Sequence, residues 1–408
     1  MKRRLKSIRP IGMSEPVKVA IVHDWLTGMR GGEYTLEVFC ELFPQADLFT
    51  LIHRKGSVSA RIEARPIHTS LLQRIPGATK RYRRFLPLMP AAIERLDLTP
   101  YDLVLSSSHC VAKGVVTRPD TLHVCYCYTP MRYAWESHHR YFPDERLGFL
   151  GRWFLPPIFT YLRMWDAASA NRVDRFIAIS EAVRGRIRKY YGRDSEVIHC
   201  PVDTGRFRAS EGGDYYLVVS AFAPYKRIDL AVEAAGRLGR PLKVVGSGQD
   251  EGRLRKLADS FPGSKVEFLG WKTGRELVEL YEGCRAFLFP GEEDFGIAPV
   301  EAMAAGRPVI ALAKGGALET VVGPDNPEGR PATGVFFPEE TAAGLADAIE
   351  AFEGREGDFD PDAVRAHALR FDTENFRTAM ADFLREADAA FHGEAAGRMI
   401  ARGQVPIS

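Results

Sequence analysis

Residues 285–301 read Arg285-Ala286-Phe287-Leu288-Phe289-Pro290-Gly291-Glu292-Glu293-Asp294-Phe295-Gly296-Ile297-Ala298-Pro299-Val300-Glu301. A wholly apolar run, Ala286 to Phe289, stops at Pro290-Gly291. A helix then begins, with Pro299 in its first turn, where a missing backbone N–H costs nothing. A buried strand feeding a helix through a short loop is the unit of a parallel sheet covered on both faces. The N–H groups of Phe295, Gly296 and Ile297 open that helix. They make an anion site from the main chain and the helix dipole.

The same unit recurs in both directions. Downstream, Val309 to Leu312 is another buried strand; upstream lie Tyr216 to Val219, Leu242 to Val245 and Val266 to Leu269, with a helical stretch Asp229 to Leu238 between the first two. A second, earlier series has strands Val17 to Val22, Leu103 to Leu105, Leu122 to Tyr128 and Phe176 to Ile179, the last capped by Ser180. Leu36, Phe39, Cys40 and Phe43 form one helical stripe behind a glycine loop. Two such series in 408 residues predict two doubly wound α/β domains. The expected layout is a basic extension over 1–16, a first domain over 17–200, a second over 201–370, and a closing helix and tail over 371–408. The break falls at Cys200-Pro201-Val202-Asp203. The polar stretch Glu353 to Asp362 reads as loop.

Composition narrows the function. Fifty-five Lys and Arg against 53 Asp and Glu give a net charge of +2, which argues against a nucleic-acid binder. The cations are unevenly placed. Arg74, Lys80, Arg81, Arg83 and Arg84 lead into Phe85, Leu86, Leu88 and Met89. Cations beside apolar groups suit an anionic membrane surface, and equally a solvated face over a core helix. Phe149 to Trp165, the most apolar stretch, is interrupted by Arg152, Pro156, Pro157 and Arg163, so no membrane span is expected. The basic start has no apolar segment after it, so no secretory signal is expected. The six cysteines read as reduced, mostly buried thiols of a cytoplasmic protein.

Ligands of open α/β sheets bind beyond the carboxyl ends of the strands. Several chemistry-bearing residues fall there. Glu293 and Glu301 bracket the anion site, where carboxylates suit hydroxyls better than phosphate. Lys226, in Ser220-Ala221-Phe222-Ala223-Pro224-Tyr225-Lys226-Arg227, follows a strand and could neutralise a diphosphate. Gly246-Ser247-Gly248 follows the next strand, and Trp271 the one after. His23-Asp24-Trp25, with Gly28, Gly31, Gly32 and Glu33, ends the first strand; His109 ends another. Asp358-Phe359-Asp360 matches an Asp-x-Asp metal motif, but its late, polar, proline-containing setting reads as solvated loop. No metal and no cofactor are implied.

Glu293 and Glu301, with Phe295-Gly296-Ile297 between them and Ala302-Met303-Ala304-Ala305-Gly306-Arg307-Pro308-Val309 after, resemble the signature of the GT4 family. These are retaining glycosyltransferases of GT-B fold, in which two Rossmann-like domains with doubly wound parallel sheets face each other across a cleft. The resemblance runs from Val17 to about Ala390. It implies that Glu293 holds hydroxyls of the transferred sugar, that Glu301 holds the ribose, and that Phe295, Gly296 and Ile297 hold the diphosphate. Lys226 would stabilise the leaving group. The family's usual Arg at the place of Ala221 is missing, with Arg227 a conceivable substitute. Gly246 and Gly248 would pass near the nucleotide and Trp271 near the base. Lys314-Gly315-Gly316 with Glu319 resembles a segment near the donor sugar. Gly28, Gly31, Gly32 and Glu33 resemble a loop that closes on the donor diphosphate and acceptor, His109 a histidine beside the transferred sugar, and Asp24 and Arg132 would lie on the acceptor side.

The implied partners are a nucleotide-sugar donor, a glycan or lipid-linked acceptor, and an anionic membrane surface met through the Arg74–Arg84 region. His123 to Trp135 resembles members that build bacterial surface polysaccharides, which makes GDP-mannose the first choice of donor and the inner face of the plasma membrane the expected place of work. A UDP-sugar-dependent transferase, a nucleotide-sugar epimerase of the same fold, and a non-catalytic nucleotide-sugar sensor are the alternatives.

Overall fold

The computed structural model describes residues 17–135 and 149–401. The chain divides into two compact units, one of residues up to Ile198 together with those from Arg377 onward, the other His199–Phe376.

The first unit is built on a seven-stranded sheet. Its strands are β1 (Val19–His23), β2 (Asp47–Thr50), β3 (Ile67–Thr69), β4 (Leu103–Ser108), β5 (Leu122–Cys127), β6 (Arg175–Ala178) and β7 (Ser195–Val197). They lie in the order β3-β2-β1-β4-β5-β6-β7, every pair parallel. The second unit has six strands: β8 (Tyr215–Val219), β9 (Leu242–Val245), β10 (Val266–Gly270), β11 (Cys284–Phe289), β12 (Val309–Leu312) and β13 (Gly334–Phe337). Their order is β10-β9-β8-β11-β12-β13, again all parallel. Both are doubly wound. In each, strand order reverses once, between β1 and β4 in the first sheet and between β8 and β11 in the second.

The apolar runs became the central strands. β4, β5, β11 and β12 are buried along nearly their whole length. The short β3, β7 and β13 went unread in the sequence. Each lies at a sheet edge, and β3 and β7 are half exposed, so no apolar run marks them. β2 is only four residues long and opens on Asp47.

The stretch Glu353–Asp362 differs from the loop reading. Phe359 is buried, and Asp360 accepts from the N–H groups of Asp362 and Ala363 to cap the helix Pro361–Ala368. The Asp-x-Asp match is thus a helix cap around a core aromatic. The last helix spans Thr373–Ala401, longer than expected. Its Arg377 pairs with Glu41 of the helix Gly31–Leu42, and Arg175 of β6 lies over the Phe383 ring. All six cysteines are buried, and none forms a disulfide with another.

A fully enclosed ion pair braces the first unit. Lys113 Nζ lies 3.0 Å from Asp166 Oδ1 and donates to the Asp166 carbonyl and Ser169 Oγ, both at 2.7 Å. Asp166 Oδ2 accepts from Trp135 Nε1 at 2.8 Å and from the Tyr191 hydroxyl at 2.9 Å. These bonds tie the turn after β4 and the short helix Arg132–Trp135 to the helix Phe149–Ser169.

Candidate active site

In the second unit the loops leaving β8, β9, β11 and β12 carry the residues singled out in the sequence. β8 and β11 are neighbours at the point of strand-order reversal, where a crevice opens in doubly wound sheets. Lys226 leaves β8 and Glu293 leaves β11, and they meet there, with Nζ 2.5 Å from Oε2. Burial opposes the lysine charge, but Glu293, Tyr225 and Asp294 outweigh it and hold the ammonium above its ordinary range. Lys226 is therefore a fixed cation at neutral pH.

The loop from Glu293 to Gly296 is held by its neighbours. The Phe295 ring is buried, stacked on His199 with centroids 5.4 Å apart and edge-on to Phe371 at 5.6 Å. With its ring anchored inward, what Phe295 offers is main chain. Gly296, in the left-handed region at φ +92°, turns the chain into the helix Ile297–Ala304. The first N–H groups of a helix have no acceptor within it. The loop after β12 packs on this segment. Gly316 N–H donates to the Glu293 carbonyl at 2.8 Å. A Cβ on Gly315 (φ +61°) would run into that same carbonyl, and one on Gly316 into Phe295. Gly246 and Gly248, after β9, lie against the backbone of Ser220 and Phe222 in the β8 loop.

Glu301 sits apart from the Lys226 pair. Its Oε2 accepts from the Tyr281 hydroxyl at 2.9 Å, with Arg206 3.9 Å from Oε1. Burial raises its pKa despite both neighbours. Tyr281 and Arg206 are site residues the sequence did not reveal, because neither is close to Glu301 along the chain. Trp271 follows edge strand β10 and is 59% exposed, a ring free of the core. Arg227 is half-buried and engaged within the fold. Its guanidinium is 2.7 Å from Glu340 and also pairs with Asp229, so it does not stand in for the arginine missing at Ala221.

The first unit repeats the pattern at its own reversal point. Asp24 leaves β1 and His109 leaves β4, and the two strands are neighbours. His109 Nδ1 is 2.9 Å from Asp24 Oδ2. The carboxylate also accepts four backbone N–H groups, from His109 and Cys110 on Oδ2 and from Val111 and Ala112 on Oδ1, at 2.6–3.0 Å. Burial alone would raise the Asp24 pKa. The His109 ring, the backbone donors and His23 instead hold it well below the carboxylate range. Asp24 has no exposed surface. The expectation that it contacts an acceptor is therefore corrected: a side chain enclosed on all sides with both oxygens occupied turns to the protein. His23, by contrast, is buried with Nδ1 3.0 Å from Ser107 Oγ, which in turn bonds the Tyr128 hydroxyl. Tyr128 donates to the carbonyl of Gly32, so Gly31 and Gly32 at the start of their helix are tied to β5. Arg132 opens the short helix after β5 and is half-buried. Among the described residues no His, Cys, Asp and Glu cluster fits a metal ion.

Two family models match the chain: Glycosyltransferase Family 4 over residues 23–206 and Glycosyl transferases group 1 over residues 204–361. The chain belongs to the GT4-type glycosyltransferases of GT-B fold. Among relatives, O-antigen chain mannosyltransferase C of Escherichia coli is 31% identical over 119 residues, covering 28% of this chain and 32% of that protein. O-antigen chain mannosyltransferase RfbU of Salmonella typhimurium is 30% identical over 159 residues, covering 37% and 45%. The chain spans less than half the length of the first curated relatives it matches. The solved structure of Anabaena HepE in complex with UDP and glucose superimposes with a TM-score of 0.67 at 16% identity, covering 90% of this chain and all of that one. At that identity the likeness is one of fold.

Proposed function

We propose that this GT4-type protein transfers a hexose from a nucleotide diphosphate sugar to a hydroxyl acceptor with retention of configuration, mannose from GDP-mannose being the first choice. The observation that carries this reading is the Lys226–Glu293 pair at the β8/β11 reversal point, beside the main chain of Phe295, Gly296 and Ile297. A half-buried cation and the free N–H groups of a helix start suit a diphosphate leaving group.

In the proposed reaction the bond from the anomeric carbon to the β-phosphate oxygen breaks. The acceptor oxygen bonds the same carbon from the same face, and its proton passes to the departing phosphate oxygen. Lys226 and the amides of 295–297 neutralise the charge that develops on the diphosphate. Glu293 aligns the sugar hydroxyls, Glu301 takes a ribose hydroxyl, and the exposed Trp271 offers a face to the base. Gly246, Gly248, Gly315 and Gly316 let the backbone close on the nucleotide. No protein nucleophile and no metal take part. The choice of mannose, and of a lipid-linked or oligosaccharide acceptor in bacterial polysaccharide assembly, is supported by the two O-antigen mannosyltransferases among the relatives.

Work at an anionic membrane surface is part of the proposal. No helix among the described residues is long and apolar enough to cross a membrane. Arg74, Lys80, Arg81, Arg83 and Arg84 are all exposed, and Leu71 and Leu88 beside them are 50% and 53% exposed. Cations framing exposed leucines suit a surface of anionic headgroups.

The test is incubation with separate GDP- and UDP-sugars, with product analysis by mass spectrometry. Slow release of nucleotide diphosphate, fastest with GDP-mannose, is the expected result. Faster turnover of a UDP-sugar would reassign the donor. An isomerised donor would mean an epimerase, and binding without turnover a sensor.

A further inference from the structure

The sequence reading gave Asp24 to the acceptor, and its burial removes it from that role. What it does instead can be argued from its partners. The carboxylate is enclosed, and among the described residues no Lys or Arg side chain bonds it. Its partners are four backbone N–H groups of the turn His109 to Ala112 and the His109 ring. Capping that turn requires only an acceptor. It does not require an imidazole on the same oxygen.

The ring itself is constrained on several sides. Nδ1 is spent on Asp24. Trp25 lies edge-on, with ring centroids 4.5 Å apart, and Tyr128 stands at 6.4 Å. His23 is the nearest other imidazole, at 6.2 Å, but it is 1% exposed and tied to Ser107. The His109 side chain remains 26% exposed, and its Nε2 has no hydrogen-bond partner among the described residues. One nitrogen is thus clamped from behind and the other is offered outward, at the carboxyl end of β4.

We propose that Asp24 is a positioning residue: it holds the His109 imidazole by Nδ1 so that Nε2 is presented as a hydrogen-bond donor to a hydroxyl or ring oxygen of a sugar substrate. This rests on the transferase reading above. The arrangement follows the general logic by which an acid behind a histidine sets its orientation and favours the imidazolium, in which both ring nitrogens donate. No bond is made or broken in this role and no proton leaves the histidine.

The groups facing the ring agree with a donor at Nε2. Burial works against an imidazolium, but Asp24 and then Glu33 favour it over the opposition of Arg30, and the His109 pKa lies above its ordinary value. The donor form is therefore lost only as pH rises through that raised value, and removal of the Asp24 charge moves the loss to lower pH.

The experiment is Asp24→Asn in the full chain, compared with His109→Ala and the double variant. Three quantities are read: the NMR titration of the His109 ring, the pH profile of kcat with KM for the donor, and the melting temperature. The expected result is a fall of the His109 pKa. The alkaline limb of kcat should shift with it, and kcat should drop roughly tenfold to hundredfold with little change in KM. The double variant should be no worse than His109→Ala. A His109 pKa and pH profile that stay at wild-type values, with losses that follow melting alone, would reduce Asp24 to a turn cap and overturn the proposal. If Asp24→Asn does not fold, the wild-type ring nitrogens decide: an imidazolium protonated at both nitrogens is expected to dominate at pH 6.5, and a ring that is neutral there, whichever nitrogen carries its proton, overturns the proposal. Titration of GDP and UDP into the wild type keeps the two readings distinct. Failure to bind either strikes the transferase reading, while the NMR result on His109 stands or falls independently.

Discussion

A buried charge must be met by charge or by several aligned dipoles, and this protein uses both solutions. Lys226 is met by the Glu293 carboxylate. Asp24 is met mostly by backbone N–H groups. Three expectations follow from these residues. Glu293→Gln removes the acid proposed to align the sugar and should lower kcat on the order of a hundredfold, while GDP still binds; steady-state transfer rates and calorimetry check the two halves separately. The folded pKa of Asp24 lies below its unfolded value, so the stabilisation it gives is complete at neutral pH. It begins to fade below about pH 5 and disappears as pH falls through the folded value. The stability gap between wild type and Asp24→Asn, measured by urea unfolding, should narrow from about pH 6 to about pH 3. Lys113→Ala leaves the Asp166 charge buried without its cation and should cost about 3–5 kcal/mol by the same measurement.

At the scale of elements, the site is made by loops that lean on one another. The β12 loop can sit on the β11 loop only because Gly315 has no side chain at a left-handed backbone position, facing the Glu293 carbonyl. Gly315→Ala therefore forces either strain or retreat of the β11 loop, and it should weaken nucleotide diphosphate binding at least tenfold. Gly185 in the helix Glu181–Tyr191, around which a Cβ would likewise meet nothing within 4 Å, provides the control: Gly185→Ala should bind as wild type. Calorimetric titration with GDP and UDP tests both. The clash, rather than the loss of a glycine as such, is what the comparison isolates.

For the molecule as a whole, the two units repeat one plan. Each is a doubly wound parallel sheet, and each brings an acid and a base together where strand order reverses: Asp24 with His109 between β1 and β4, Glu293 with Lys226 between β8 and β11. The features proposed to bind the nucleotide lie in the second unit. Saturating nucleotide diphosphate should raise the melting temperature of the full chain, since it binds only the folded state. Hydrogen exchange should slow most at the loops 220–227, 246–248, 290–297 and 314–316. Protection confined to other loops would count against the site.

The amino-acid sequence alone carried the two α/β series, the central strands, the glycine loops and the acids at 293 and 301. These are local signals: an apolar run must be buried, and a glycine or proline at its end must turn the chain. Residue types at strand ends also pointed to Lys226 and His109. The edge strands β3 and β7 were not legible, since a strand covered on few sides has no reason to be apolar, and the apolar edge strand β13 is only four residues long. Nor were the partnerships. That Asp24 grips a turn about 85 residues away, that Tyr281 holds Glu301, and that Arg227 is spent on Glu340 depend on which loops the strand order makes neighbours. Strand order is set by packing over the whole sheet. Only the tertiary structure could decide which charges are free to meet a ligand and which are consumed within the fold.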